Sequence, residues 1–98
     1  MKRRAVFFSR EARRDLAAIG DWITERAGVD VALGYIERLE AYCNGFEFAA
    51  ERGRRRDDLR PGLRIVGFER RIAIAFEVSN GEVTILRLYY GGRNWTED

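Results

Sequence analysis

Arg93, Asn94 and Trp95 stand together near the end of the sequence, directly after the glycine pair Gly91-Gly92. A guanidinium, an amide and an indole do recognition chemistry: directional hydrogen bonds beside a large rigid surface, the combination favoured at the anchor points of protein interfaces. With so little sequence after them, these side chains are expected to stay accessible, joined by Tyr90 just before the glycines. The alternative is that Trp95 folds back on the sheet edge as a structural plug. A second charged pair calls for different chemistry. Arg87 falls in mid-strand, where a lone charge is costly, and Asp15 on the first predicted helix is its expected partner in a structural ion pair.

Composition narrows the chemistry further. The 98 residues carry no histidine, one cysteine, and 18 basic residues of which 17 are arginine, for a net charge of +2. Without an imidazole, Cys43 has no obvious base to activate it and reads as a buried structural thiol. The same lack disfavours zinc, and the sequence implies neither a metal nor an organic cofactor. Arginine in this excess suits phosphate or carboxylate, although the 16 acidic residues offset most of the charge. The Arg52, Arg54, Arg55, Arg56 run reads either as a solvated loop or as a contact to a protein partner or to DNA phosphates. No apolar run nears the roughly 20 residues that span a bilayer, so the expected setting is cytoplasmic with no membrane partner.

The elements that must position these side chains follow from periodicity. Residues 4–8 read as a first strand. Ser9 is a good N-cap for a helix over 10–27, with Glu11 in its first turn and Ala12, Leu16, Ile19 and Ile23 on one face. Gly28 stops it, and Asp30 caps a second helix over 30–48, giving an antiparallel helical hairpin. The charged, proline-containing stretch 51–62 reads as loop. Three strands follow, 63–68, 72–78 and 83–90, then the tail 91–98. The whole is one α+β domain, a two-layer β-α-α-β-β-β fold with the helical hairpin packed on a small antiparallel sheet.

Asn80-Gly81 suits the centre of a two-residue type I′ turn. That turn would set Val78 opposite Val83, Phe76 opposite Ile85, Ile74 opposite Arg87 and Ile72 opposite Tyr89, and the bulky aliphatic side is assigned to the helices. The other side, Ala73, Ala75, Leu86 and Leu88 with Tyr90 beyond, then forms a shallow apolar strip and a candidate interface. The helices covering the alanine side instead is the competing arrangement.

Three stretches resemble a known family. The segment from Ser9 to Trp22, with Ala12, Asp15, Leu16 and Ile19 between, is similar to the first-helix signature of the ParE/RelE toxin superfamily. The segment Arg87 to Trp95 and the loop GRRRDDLRPGLR resemble its ParE branch. The resemblance implies a toxin of a type II toxin–antitoxin pair, acting by binding DNA gyrase and held in a hetero-oligomeric complex by a ParD-like antitoxin. Contact with DNA would be indirect, through the antitoxin. Antitoxin contacts are expected at Arg10, Arg13, Arg14 and Arg38 and along the alanine strip.

The same superfamily contains RelE-like ribosome-dependent endoribonucleases, the alternative function. Their scission needs cations to stabilise the phosphorane and help with proton transfer. Arg64 and Arg93 fall where such cations are expected, whereas Val66 and Ala73 occupy two further basic positions and the tail tyrosine would lie at or beyond Asp98. No catalytic residue is therefore assigned, and the chain is expected to bind its target and not to cut it.

Overall fold

The structure, a computed structural model, describes residues 3–91. Strand β1 (Ala5–Phe8) leads into helix α1 (Arg10–Ala27), then helix α2 (Val29–Asn44) and a 3-10 turn (Gly45–Glu47). The two-residue β2 (Arg54–Arg55) precedes β3 (Leu63–Phe68), β4 (Ile72–Val78) and β5 (Glu82–Tyr90). The sheet order is β1-β5-β4-β3-β2. The expected α+β layers are present, with one correction to the sheet. It is mixed: β1 runs parallel to β5, and the other neighbours are antiparallel. The helical hairpin carries the chain from β1 to β2 at the far edge, and the strands then step back across the sheet to β5 beside β1, a long connection that allows parallel pairing where a tight hairpin would not.

Local chemistry explains the helix boundaries. Ser9 Oγ accepts the Ala12 N–H at 2.9 Å and donates to the Leu86 carbonyl at 2.8 Å, so one hydroxyl caps α1 and ties it to β5. Gly28, at φ 96°, ends α1 and serves as N-cap of α2 without a side-chain bond, so the hairpin link is this one residue. Asp30 accordingly lies in the first turn of α2 and is not its cap, and the 3-10 turn takes up the end of the expected 30–48 helix.

The helices cover the aliphatic face of the sheet. Ala12, Ile19 and Ile23 of α1 and Ala32, Tyr35, Leu39 and Cys43 of α2 are buried against Ile72, Ile74, Phe76, Val83 and Ile85. Phe46, fully buried in the 3-10 turn, lies 4.5 Å from Phe76 between ring centroids.

Two turns differ from expectation. Neither Asn80 nor Gly81 takes a positive φ, although Ser79 N donates to Glu82 O across a two-residue connection. The Gly81 carbonyl accepts the Ala5 N–H at 3.1 Å, and this docking of β1 commits the turn to the ladder. The positive φ pair that marks a type I′ turn sits instead at Glu69 (48°) and Arg70 (59°), where Arg71 N donates to Phe68 O.

The larger correction concerns register. Val78, Glu77 and Phe76 pair with Val83, Thr84 and Ile85, but Ala75 pairs with Arg87, making Leu86 the extra residue of a β-bulge. Beyond it every side chain changes face relative to the expected register. Leu88 and Tyr90 join the helix-side core, not the alanine strip. Tyr89 joins Leu63 and Ala75 on the opposite face, with Ile65, Ala73 and Leu86 beside them. Arg87, opposite Ala75 and with its guanidinium 4.8 Å from the Tyr89 ring centroid, belongs to that opposite face and not to the helix side.

Candidate interaction site

The bulge and the short first strand together leave part of β5 without a strand neighbour. β1 pairs with β5 only as far as Ile85. From Leu86 onward α1 takes over the outer edge through polar side chains. Asp15 Oδ2 accepts the Leu88 N–H at 2.9 Å and Arg87 Nε at 2.8 Å, while Oδ1 accepts Arg87 Nη2 at 3.3 Å. The expected partners are therefore brought together, with Arg87 reaching the edge from the face away from the helices. Side-chain exposure of 33% for Arg87 and 17% for Asp15 makes the pair half-buried, not fully enclosed.

Further along, a cluster of rings closes the same end. Trp22 and Tyr90 lie 4.6 Å apart between centroids, and Tyr90 meets Tyr35 edge-on at 6.5 Å. Arg26 lies 3.8 Å over the Trp22 ring. Beneath them the Tyr35 hydroxyl is buried with no hydrogen-bond partner among the described residues. Its phenol is raised above the ordinary tyrosine value, first by desolvation and then by the neighbouring Glu69 carboxylate.

Two clefts share Trp22 and Tyr90. One runs between α1 and β5, lined by Asp15, Ala18, Ile19, Trp22, Leu88 and Tyr90. The other continues to the β3–β4 turn and adds Glu69, Arg70, Arg71 and Gly91. Among the described residues, no group of three or more cysteine or acidic side chains is placed to hold a metal.

The sequence-predicted residues distribute as follows. Arg10, Arg13 and Arg14 are exposed on the first turns of α1. Arg38 is already engaged: its guanidinium makes a two-pronged bond to Glu69 at 2.9 and 3.1 Å, which holds that carboxyl below its usual range. Ala73 and Ala75 share the face away from the helices with Leu86, but Leu88 does not. Tyr90 packs against Trp22 and is part of the core wall as well as the cleft. Arg93, Asn94 and Trp95 lie outside the described residues. In the 52–56 run, Arg55 and Arg56 pair with Asp57 and Asp58, and Arg52 donates to the Ala49 carbonyl. These bonds neutralise much of the loop locally.

Sequence reasoning missed Trp22, Arg70 and Arg71 as site residues. The available signal was the Glu69-Arg70 turn between two apolar strands, which throws Arg70 and Arg71 to the end of β5. Among the described residues Arg14, Arg70 and Arg71 have no ion-pair partner.

Residues 6–95 match the family model for the ParE toxin of the type II toxin–antitoxin system parDE. The chain belongs to the ParE toxin family. A chain from a solved structure described as the chromosomal ParDE toxin–antitoxin system of P. aeruginosa aligns with a TM-score of 0.76 at 27% identity, over 89% of this chain and 95% of that one. No curated protein matches the sequence. Asp15, Ser9 and Trp22, which carry the first-helix resemblance to ParE, are the residues that seal α1 to the outer edge of β5. In this ParE-family chain the motif has a structural job. Among the described residues no helix is long and apolar enough to cross a membrane.

Proposed function

We propose that this ParE-family chain arrests growth by binding DNA gyrase, without cutting a substrate, and that a ParD-like antitoxin neutralises it in a hetero-oligomeric complex. The observation that carries binding over cutting is the disposition of the positions a RelE-like ribonuclease would use. Arg64 and Val66 pair with Phe76 and Ile74 and face one way, whereas Ala73 pairs with Tyr89 and faces the other. Arg64 Nη1 donates to the Arg52 carbonyl at 3.4 Å, and Val66 packs on the helix-side core. Arg64 is the one cation among these described positions and it is held by a backbone carbonyl, so no group of cations converges there on a phosphodiester.

Gyrase engagement is assigned to Tyr90 with Arg93, Asn94 and Trp95, and antitoxin contact to the cationic first turns of α1. DNA contact is left to the antitoxin, and the setting is cytoplasmic. Purified protein in a gyrase supercoiling assay, run beside a translation-coupled transcript-cleavage assay, separates the two activities. Inhibited supercoiling with intact transcripts is expected; shortened transcripts with unaffected supercoiling would overturn the proposal. Truncation after Gly91 keeps the Gly91 N–H bond to the Arg71 carbonyl, so the truncated chain is expected to fold and to lose toxicity. A folded truncation that still arrests growth would remove the tail from the site.

A further inference from the structure

Charge on the outer face of α1 follows an order that does not serve the helix itself. Arg10, Arg14, Ala17, Ala18, Asp21 and Glu25 occupy the side opposite the buried Ala12, Ile19 and Ile23, and all six are exposed. The row begins with two arginines one turn apart and ends with two carboxylates one turn apart. Like charges at this spacing repel each other along a helix. Arg10 in the first turn and Glu25 in the last also oppose the helix dipole, although Glu11 and Arg26 beside them favour it.

These side chains are not neutralised from elsewhere in the fold. Among the described residues Arg10, Arg14 and Asp21 make no ion pair. Glu25 only approaches Arg26, at 4.0 Å, with both side chains more than half exposed. Other arginines behave differently: Arg38, Arg55, Arg56 and Arg60 each reach a carboxylate at 2.6–2.9 Å.

The row has a centre. Arg10 and Glu25 are equally far from the point between Ala17 and Ala18, and so are Arg14 and Asp21. A two-fold axis through that point, perpendicular to the helix, lays a second copy of α1 antiparallel on the first. Arg14 of each copy then meets Asp21 of the other, and Arg10 meets Glu25. The two-fold repeats each contact, so all four are opposite in sign. A parallel alignment would instead set arginine against arginine. At the crossing point the alanines carry nothing beyond Cβ, which lets the helices approach at the close end of the usual spacing of about 8–10 Å.

We propose that the outer face of α1 is a self-association surface, on which a second copy of this chain docks antiparallel about a two-fold axis between Ala17 and Ala18. Charge selects this occupant. A basic partner is repelled by Arg10 and Arg14 and an acidic one by Asp21 and Glu25, whereas the same row reversed satisfies both ends. One helix from each copy makes a small interface, of the weak and transient class. The dimer is a state of the chain without its antitoxin, because the antitoxin contact proposed above uses the same first turns of α1.

The test is sedimentation velocity on the full chain alone, from about 5 to 200 μM, a range suited to a weak interface. A dimer is expected at low salt, with self-association weakened about tenfold when sodium chloride rises from about 0.05 to 0.5 M. Arg14→Glu and Asp21→Arg each place like charges at two symmetric contacts, and each is expected to weaken self-association by about 30-fold. Both should melt no lower than the parent, since the positions are exposed and each change removes a like-charge pair within α1. Mixing the two variants gives the decisive comparison. In a mixed pair every contact is again opposite in sign, so an equimolar mixture is expected to dimerise like the parent. A parent that stays monomeric over this range, single variants that dimerise like the parent, or a mixture that stays monomeric each overturns the proposal.

Discussion

Removing the Asp15 carboxylate tests how the outer edge of β5 is sealed. Asp15→Ala strips the acceptor from the Leu88 N–H, a group on a residue only 3% exposed, and from both Arg87 nitrogens. A hydrogen bond to a charged group contributes about 1.5–3 kcal/mol, and a donor left buried and unpaired costs a similar amount. The ion pair adds about 0.5–1 kcal/mol once discounted for an Arg87 side chain one-third exposed to solvent. Alanine is the better helix former and returns roughly 0.5 kcal/mol. The net loss is about 2.5 kcal/mol, or a fall in melting temperature of about 10–20 °C for a domain of this size. Arg87→Ala should cost much less, about 1–1.5 kcal/mol, because Asp15 keeps its bond to Leu88 while the ion pair and the contact with Tyr89 are lost. Asp15→Asn should fall between them, since its carbonyl oxygen still accepts from Leu88. Thermal and urea denaturation of the two single variants and the double variant, assembled into a cycle, should give a coupling of about 1 kcal/mol. The reasoning is refuted if Arg87→Ala destabilises as much as Asp15→Ala. That result would mean the backbone bond contributes nothing and the ion pair is the whole seal.

The remaining predictions concern other parts of the fold. Gly53→Ala should destabilise by about 2–3 kcal/mol in urea titrations, because the residue sits at φ 78° and a Cβ there runs into the Ile65 carbonyl. Arg70→Gly should stabilise by about 1 kcal/mol by relieving a positive φ, with melting rising a few degrees. Cys43 is fully buried and its thiol is pushed up to about 12 by desolvation, so a thiol reagent at pH 8 should modify it only at the unfolding rate. Asp57, Asp58 and Glu69 have carboxyls lowered by bonds to the Gly62 N–H, Arg56 and Arg38 respectively. Their stabilisation is present above the usual carboxylate range and lost as pH falls through the lowered values. Stability measured from pH 6 downward should decline there, and Glu69→Gln should flatten the decline.

Much of the architecture was legible along the chain. Ser9, Gly28 and the four-three-four spacing from Ala12 to Ile23 mark α1 because capping and helical periodicity act within a few residues. The alternating aliphatics of β4 mark the helix-facing side of the sheet for the same reason. The bulge at Leu86 left no such trace, since no glycine or proline marks it and either register satisfies the alternation in β5. It arises where Ser9 Oγ and Asp15 bond to the backbone of Leu86 and Leu88 from α1. The Asp15–Arg87 pairing could be anticipated from the cost of an isolated charge, but its face could not.

What the sequence determined by itself is whatever depends on near neighbours: the two helices, the three long strands, the inertness of Cys43, and the choice of arginine over histidine that disfavours proton-transfer chemistry. What only the tertiary structure decided is which side chains share a face and which backbone groups stay open. Leu88 and Tyr90 changed sides, Glu69 and Arg70 took the turn geometry expected of Asn80 and Gly81, and Arg70 and Arg71 came to stand beside Trp22. The reason is physical. A one-residue shift in pairing reverses every side chain beyond it at little local cost, so the choice falls to contacts between segments far apart in the chain.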